Sequence, residues 1–239
     1  MLDFERYDYL TFDCYGTLID WERGILAALR PLLERHGIAR SDDQILELFG
    51  ELESAAEQPP YHTYREVLAT VVDGCGARLG FATTAAERAS LAESVADWPA
   101  FSDTVASLRA LAGRFKLGIL SNVDDDLFAG SARRLEVDFA AVVTAQQAGS
   151  YKPDPGNFRA LLERLDVPPE RVLHVAQSLF HDLAPAKALG LTTGWVNRRH
   201  DRPGFGATPA AAATPDLEVP DLRTLADLAT AGAAAHRDL

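Results

Sequence analysis

A chain of 239 residues, 47% hydrophobic and 24% charged, holds enough apolar material for one sizeable core or a core with a small second domain, which excludes wholesale disorder. Its formal net charge of −12 excludes a long-range positive field for nucleic acid or an anionic membrane, so an anionic partner must be held by a few local cations. No stretch reaches the ~18 apolar residues of a membrane span. The charged start MLDFERYDYLTFD and two cysteines without metal or redox spacing, Cys14 and Cys75, read as a cytoplasmic enzyme with reduced thiols.

The first strand is expected over Tyr7–Asp13, in the apolar run that leads into FDCYGT. From Trp21 to about Trp98, helical spacing takes over. WERGILAALRPLLERHG ends at Gly37, a residue suited to a C-terminal cap. Ser41 opens SDDQILELFGELESAAE, whose first-turn acids suit the helix dipole, and Gln58–Pro60 breaks it. YHTYREVLATVVDGCGARLG supplies a third helix, and TTAAERASLAESVADW a fourth with Thr83 or Thr84 as N-cap. Four helices with no strand among them read as an inserted module.

Beyond Pro99, short apolar strands alternate with helices. Helices are expected at Ser102–Gly113, Asp125–Leu135, Pro155–Leu165 and Leu179–Leu189, and strands at Phe115–Ser121, Phe139–Ala145, Arg171–Ala176 and Thr192–Arg198. Arg199–Pro220, rich in Pro, Gly, Ala and Thr, is expected to be loop, and DLRTLADLATA a closing helix. The fold class is therefore α/β, a doubly wound parallel sheet with a helical module after its first strand.

Ligands of such sheets sit beyond the carboxyl ends of the strands. Asp13, Ser121 with Asn122, and Gln177 with Ser178 fall there, Asp182 lies just inside the next helix, and Lys152 follows a weaker strand by a loop. Singly, each has a plain reading: turn-former, helix cap, surface lysine, helix-start acid. Cys14 should point opposite its neighbours and pack inward, and Cys75 is taken as structural.

Together, in this order, these residues resemble the haloacid dehalogenase superfamily through almost the whole chain. FDCYGT is similar to its first motif, ILSN to its second, the lysine of SYKPDP to its third, and HVAQSLFHDLAPAKALG to a variant of its fourth. The resemblance implies a Rossmann-like core over 1–18 and 97–239 and a small helical cap over 19–96. It further implies a carboxylate nucleophile at Asp13, Thr17 supporting the turn, and Ser121 binding the substrate's anionic group, with Asn122 and Ser178 also at the substrate. Lys152 would offset the clustered acids, because Asp13 and Asp182 brought together repel each other. A homodimer through a cap helix is implied in the same way.

Most members of that superfamily are magnesium-dependent phosphatases with D-x-D in the first motif and G-D-S-x-x-D in the fourth. Here Tyr15 and Gln177 stand at two of those acid positions. A phenol with a pKa near ~10 replaces a carboxylic acid poorly, and an amide brings no charge to a hard cation. D-x-Y-G-T is similar instead to the L-2-haloacid dehalogenase branch, which implies a reaction with no metal or other cofactor. By that resemblance Asp13 displaces halide from a small anionic organic substrate, a halocarboxylate. Water directed by Asp182 then opens the aspartyl ester to give a 2-hydroxy acid. Tyr15 is expected beside the substrate, with Trp21, Phe180 and Trp195 as core aromatics. The cap arginine of that branch has no counterpart in SDDQILELFG; Arg65 is the favoured substitute and Arg40 the other candidate. His181 reads as a helix residue, with water handling as its alternative. Rival readings are a phosphatase for small phosphomonoesters, a hydrolase of another electrophilic carbon such as a strained ring, and a non-catalytic binding protein.

Overall fold

Tyr9–Phe12 forms β1, and all four residues are buried because the strand is covered on both faces. The computed structural model describes residues 2–202 and 206–234. After β1 come four helices: α1 (Trp21–Arg35), α2 (Asp42–Ala56), α3 (Tyr64–Leu79) and α4 (Ala85–Ser94). Capping boxes at Ser41/Gln44, Thr63/Glu66 and Thr84/Glu87 start the last three, so Thr84 rather than Thr83 is the cap. Each such cap contributes about 0.5–2 kcal/mol. Apolar faces such as Ile45, Leu46 and Phe49 of α2 and Val67, Leu68 and Val71 of α3 join one buried cluster that continues onto the sheet.

The chain then alternates through α5 (Thr104–Ala112), β2 (Lys116–Ser121), α6 (Asp125–Leu135), β3 (Ala141–Thr144), α7 (Ala145–Ala148), α8 (Pro155–Leu165) and β4 (Val172–Ala176). A π-helical turn, Leu179–Leu183, runs into α9 (Ala184–Ala188), followed by β5 (Thr192–Val196), β6 (Leu217–Val219) and α10 (Leu222–Ala234). The six strands lie in the order β3-β2-β1-β4-β5-β6, all parallel. Leu10, Phe12, Ile119 and Val175 face one apolar cluster with α5 and α10 residues. Tyr9, Leu120 and Val172 face another with α8 and α9 residues, so alternate residues of each strand serve the two faces.

Three expectations need correction. Arg199–Pro220 is not all loop, because Leu217–Val219 pairs with β5 as the sheet edge; residues 203–205 of that stretch lie outside the described residues. Leu179–Leu189 is not one α-helix but a π-helical turn and a short helix. Thr144 caps a one-turn helix, α7, where the strand was expected to continue. Among the described residues, no helix is long and apolar enough to cross a membrane.

Candidate functional site

β1 lies between β2 and β4, where the strand order runs outward in both directions, and the loop beyond it opens into the crevice that such a switch point creates. Asp13 is the first residue past β1, and its N–H still bonds to Val175 O at 3.1 Å. The chain then turns sharply, with Leu18 N and Ile19 N both donating to Cys14 O. Gly16 permits the turn: its φ is +88°, and a Cβ there would lie 2.9 Å from Trp21 Nε1. Cys14 packs inward, fully buried. Thr17 Oγ1 donates to Asp13 Oδ2 at 2.7 Å and accepts from Gln177 N at 2.9 Å, tying the turn to the end of β4. From behind, Arg198 Nη2 donates to Thr17 O at 2.9 Å while Nη1 holds both oxygens of Asp103.

Lys152 is 2% exposed, and its ammonium has three recorded acceptors. They are Asp13 Oδ1 at 2.8 Å, Asp182 Oδ1 at 2.7 Å and Leu120 O at 2.9 Å. Three N–H donors meet three acceptors, so the ammonium is saturated. Asn122 fixes the lysine's backbone on both sides, accepting from its N–H at 2.7 Å and donating to its carbonyl at 3.1 Å. Asp182 Oδ1 also lies 3.1 Å from His174 Nε2, whose Nδ1 is 3.0 Å from Thr11 Oγ1. Asp182 Oδ2 is buried with no hydrogen-bond partner among the described residues.

Burial, joined by the charge of Asp182, holds the Asp13 carboxyl above its ordinary value against the pull of Lys152 and Thr17. Burial acts on Asp182 too, but Lys152 and His174 together keep it below its ordinary value. For Lys152, burial opposes the charge, yet the two aspartates raise its pKa.

These groups surround a cavity of about 40 Å³, with Ser121, Asn122, Ser178 and Tyr15 also in its lining. Ser121 Oγ is buried with no hydrogen-bond partner among the described residues. Ser178 Oγ caps the π-helical turn, accepting from His181 N at 2.9 Å. The Tyr15 hydroxyl is 2.9 Å from Ser131 Oγ, and its ring meets Trp98 edge-on. Trp21, expected to be core, reaches the same cavity.

Arg65 is not brought to this cavity. Asp124 Oδ1 and Oδ2 accept from Tyr64 N and Arg65 N, and the exposed Arg65 guanidinium pairs with Asp126. Arg40 lines a separate surface depression near α1. In place of a cation, α2 presents Glu53 and the following turn presents Glu57. Glu53 is buried and accepts a short hydrogen bond from the Tyr64 hydroxyl; burial raises its carboxyl to about 7. Glu57 accepts from Asn122 Nδ2 at 3.4 Å, and burial, reinforced by Glu53, raises it well above the ordinary carboxylate range. His181, also in the lining, is pushed down to about 4 by burial and is neutral at pH 7.

Among the described residues, no group of three or more His, Cys, Asp and Glu is placed to hold a metal ion. Lys152 bonds one oxygen of each aspartate, and Gln177 brings an amide rather than a carboxylate to the lining.

A family model described as haloacid dehalogenase-like hydrolase matches residues 7–190. The "(S)-2-haloacid dehalogenase 1" of Pseudomonas sp. (strain CBS-3) is 25% identical over 195 residues, 78% of this chain and 83% of that protein. "Haloacid dehalogenase-like hydrolase domain-containing protein 3" of Danio rerio is 32% identical over 113 residues, and the match spans only 43% of that relative's length and 43% of this chain. Among solved structures, the L-2-haloacid dehalogenase PA0810 is similar with a TM-score of 0.79 and 25% identity, over 94% of this chain and 99% of that one.

Proposed function

Because the chain belongs to the haloacid dehalogenase-like hydrolases, we propose that it hydrolyses a carbon–halogen bond through an ester at Asp13, under a cap formed by the inserted helices. The observation that carries the reading is Lys152, which bonds Asp13 and Asp182 at once and leaves Asp182 Oδ2 without a hydrogen-bond partner among the described residues.

In the first step an Asp13 oxygen bonds to the halogen-bearing carbon, and halide leaves with the electron pair of the breaking bond. Asp13 is fixed for this attack by Thr17 on one oxygen and Lys152 on the other. Whichever oxygen forms the ester, the other keeps a donor that stabilises the oxyanion when water adds. Asp182 Oδ2 receives a proton from that water as it attacks the ester carbonyl. The bond between the Asp13 carbonyl carbon and the alkyl oxygen then breaks. One water proton ends on the departing alcohol, the other goes to solvent, and Asp13 returns to its carboxylate. Halide leaves without protonation, so the bonding of Tyr15 to Ser131 withholds nothing the step needs.

The names of the relatives from Pseudomonas sp. and of PA0810 support this class of reaction. A phosphatase of the same fold is the competing assignment, and two measurements separate them. Halide release from small chlorinated and brominated compounds should persist with a chelator present and fall about 10³-fold or more in Asp13→Asn. A single turnover in ¹⁸O-water should place the label in Asp13. Label absent from Asp13, or phosphate release that depends on added Mg²⁺, removes the reading.

A further inference from the structure

His174 opens the stretch HVAQSLFHDLAPAKALG, yet no step at Asp13 draws on it. It is fully buried in β4, on the sheet face it shares with Val172 two residues earlier. Its ring meets Phe158 of α8 edge-on, with centroids 5.4 Å apart. An imidazole in such an apolar layer costs free energy unless its nitrogens find partners. Both do. Thr11 is its cross-strand partner in the parallel register of β1 and β4, and Thr11 Oγ1 lies 3.0 Å from His174 Nδ1. Gly118, the partner of Thr11 in β2, makes room for the threonine methyl: a Cβ at Gly118 would lie 3.1 Å from Thr11 Cγ2. With the methyl turned to β2, the hydroxyl of this stiff β-branched side chain faces β4.

The other ring nitrogen reaches the site. His174 Nε2 is 3.1 Å from Asp182 Oδ1. A carboxylate only accepts, so Nε2 carries the proton, and a hydroxyl that both donates and accepts suits Nδ1. Asp182 Oδ1 thus receives two donors, Lys152 Nζ at 2.7 Å and His174 Nε2, while Oδ2 has no partner among the described residues. One donor holds an oxygen but lets the carboxylate plane twist about it; a second donor from another direction fixes the plane. Lys152 is divided between this task, Asp13 Oδ1 and Leu120 O, whereas the Nε2 proton of His174 serves Asp182 alone.

The titratable groups that face Asp182 are Lys152 from the loop before α8, His174 from β4, Asp13 from the end of β1 and His181 beside it in the π-helical turn. Burial raises the Asp182 carboxyl, and Lys152, followed by His174, brings it below its ordinary value.

Resting on the ester route at Asp13, we propose that His174, backed by Thr11, is a positioning residue for the second half-reaction, fixing the Asp182 carboxylate with Oδ2 free to take a proton from the attacking water. As the water oxygen bonds to the ester carbonyl carbon, one water O–H bond breaks and its proton passes to Oδ2. His174 keeps its own proton on Nε2 throughout. Displacement of halide by Asp13 does not depend on this orientation, so His174 acts on ester hydrolysis and not on ester formation.

Two substitutions test the role. His174→Met removes the donor at similar volume, and His174→Gln supplies an amide N–H in its place. With 2-chloropropionate in rapid-quench experiments, halide release in the first turnover should stay within about twofold of the natural protein in His174→Met. Hydrolysis of the ester, followed by mass spectrometry of the Asp13 peptide, should slow about 10- to 100-fold, so that the ester accumulates. The acid limb of the hydrolysis rate should move to higher pH, because losing a donor to the ionised form raises the Asp182 carboxyl. His174→Gln should recover most of the rate and return the limb. Equal slowing of both half-reactions, or a glutamine variant no better than methionine, overturns the proposal. Thr11→Val, well suited to a strand, carries the same test if His174→Met does not fold. It should slow ester hydrolysis about 2- to 10-fold with halide release unchanged, and an unchanged balance of the two steps overturns the proposal. A measurement without turnover keeps this role apart from the ester route. In ¹³C NMR of protein labelled at its aspartate carboxyls, the Asp182 signal, identified by its loss in Asp182→Asn, should titrate at higher pH in His174→Met than in the natural protein. That shift, with no ester on Asp13 of the natural protein, would leave His174 as the group that holds Asp182 and remove the ester route. An ester on Asp13 with the Asp182 titration unmoved would remove the role of His174 alone.

Discussion

The site holds two pairs of buried or partly buried carboxyl groups, one in the core and one on the inserted helices, and they behave differently. Asp13 and Asp182 share an ammonium; burial and mutual repulsion keep Asp13 high, while Asp182 is held low. Glu53 and Glu57 share none, and both are raised. With a single cation between them, one acid of the buried pair is lowered while burial keeps the other raised. Without a cation between them both members are raised, Glu53 to about 7. The core pair has its counter-charge from Lys152, whereas the inserted pair has hydrogen bonds from Tyr64 and Asn122.

The comparison breaks first at Lys152. Lys152→Ala leaves two carboxyl groups facing each other in a buried site, and removing one partner of such a pair costs about 3–5 kcal/mol. Urea denaturation at pH 7 should show that loss, and the gap to the natural protein should narrow as pH falls and the two acids take up protons. Turnover should disappear along with it. A loss no greater than that from an exposed lysine such as Lys116 would mean that the ammonium does not organise the core pair.

A smaller effect should appear in the inserted pair. A carboxyl raised from 4.5 to about 7 in the fold favours the folded state while protonated. Its contribution is complete below the unfolded value and is lost as pH rises through about 7, because the folded protein binds more protons across that window. The full shift corresponds to about 3 kcal/mol. Relative to Glu53→Gln, which stays neutral, the natural protein should therefore lose about that much stability between pH 4.5 and pH 8. A flat difference across that range would show that Glu53 does not titrate there.

These two pairs were not equally legible. Asp13, Ser121, Lys152 and Asp182 stand at strand ends or in motifs whose order is readable, and the fold brings all four to one cavity. Glu53 lies in α2 and Glu57 caps its end; the apolar face of that helix is plain from its spacing, but spacing does not say which polar residues turn toward the cavity. Their position against the dipole is the one signal the sequence offers, since the acids that suit the dipole, Asp42 and Asp43, stand at the other end of α2. Arg65 was misplaced for a similar reason. The sequence does not reveal that Asp124, before α6, caps α3 from another part of the fold and that Asp126 draws the guanidinium outward. β6 was hidden because a three-residue edge strand in a stretch rich in Pro and Ala has too few residues to show a period.

The smallest expected change sharpens the account of the core pair. Thr17 donates to Asp13 Oδ2 and in turn accepts from Gln177 N, so Thr17→Val removes a donor from a charged acceptor and strands a backbone N–H. Hydrogen bonds to charged groups contribute about 1.5–3 kcal/mol, which corresponds to a loss in kcat/KM of about 10- to 100-fold. Direction matters more than size here. The lost donor favoured the ionised form of Asp13, so its absence raises an acid that burial has already lifted. The attack needs the carboxylate, and the acid limb of the pH–rate profile should therefore move to higher pH in Thr17→Val. Thr17→Ser, which keeps the hydroxyl, should return the limb to its original position. Equal losses at every pH, with no rescue by serine, would mean that Thr17 shapes the turn without tuning the acid, and that Lys152 alone sets the balance between Asp13 and Asp182.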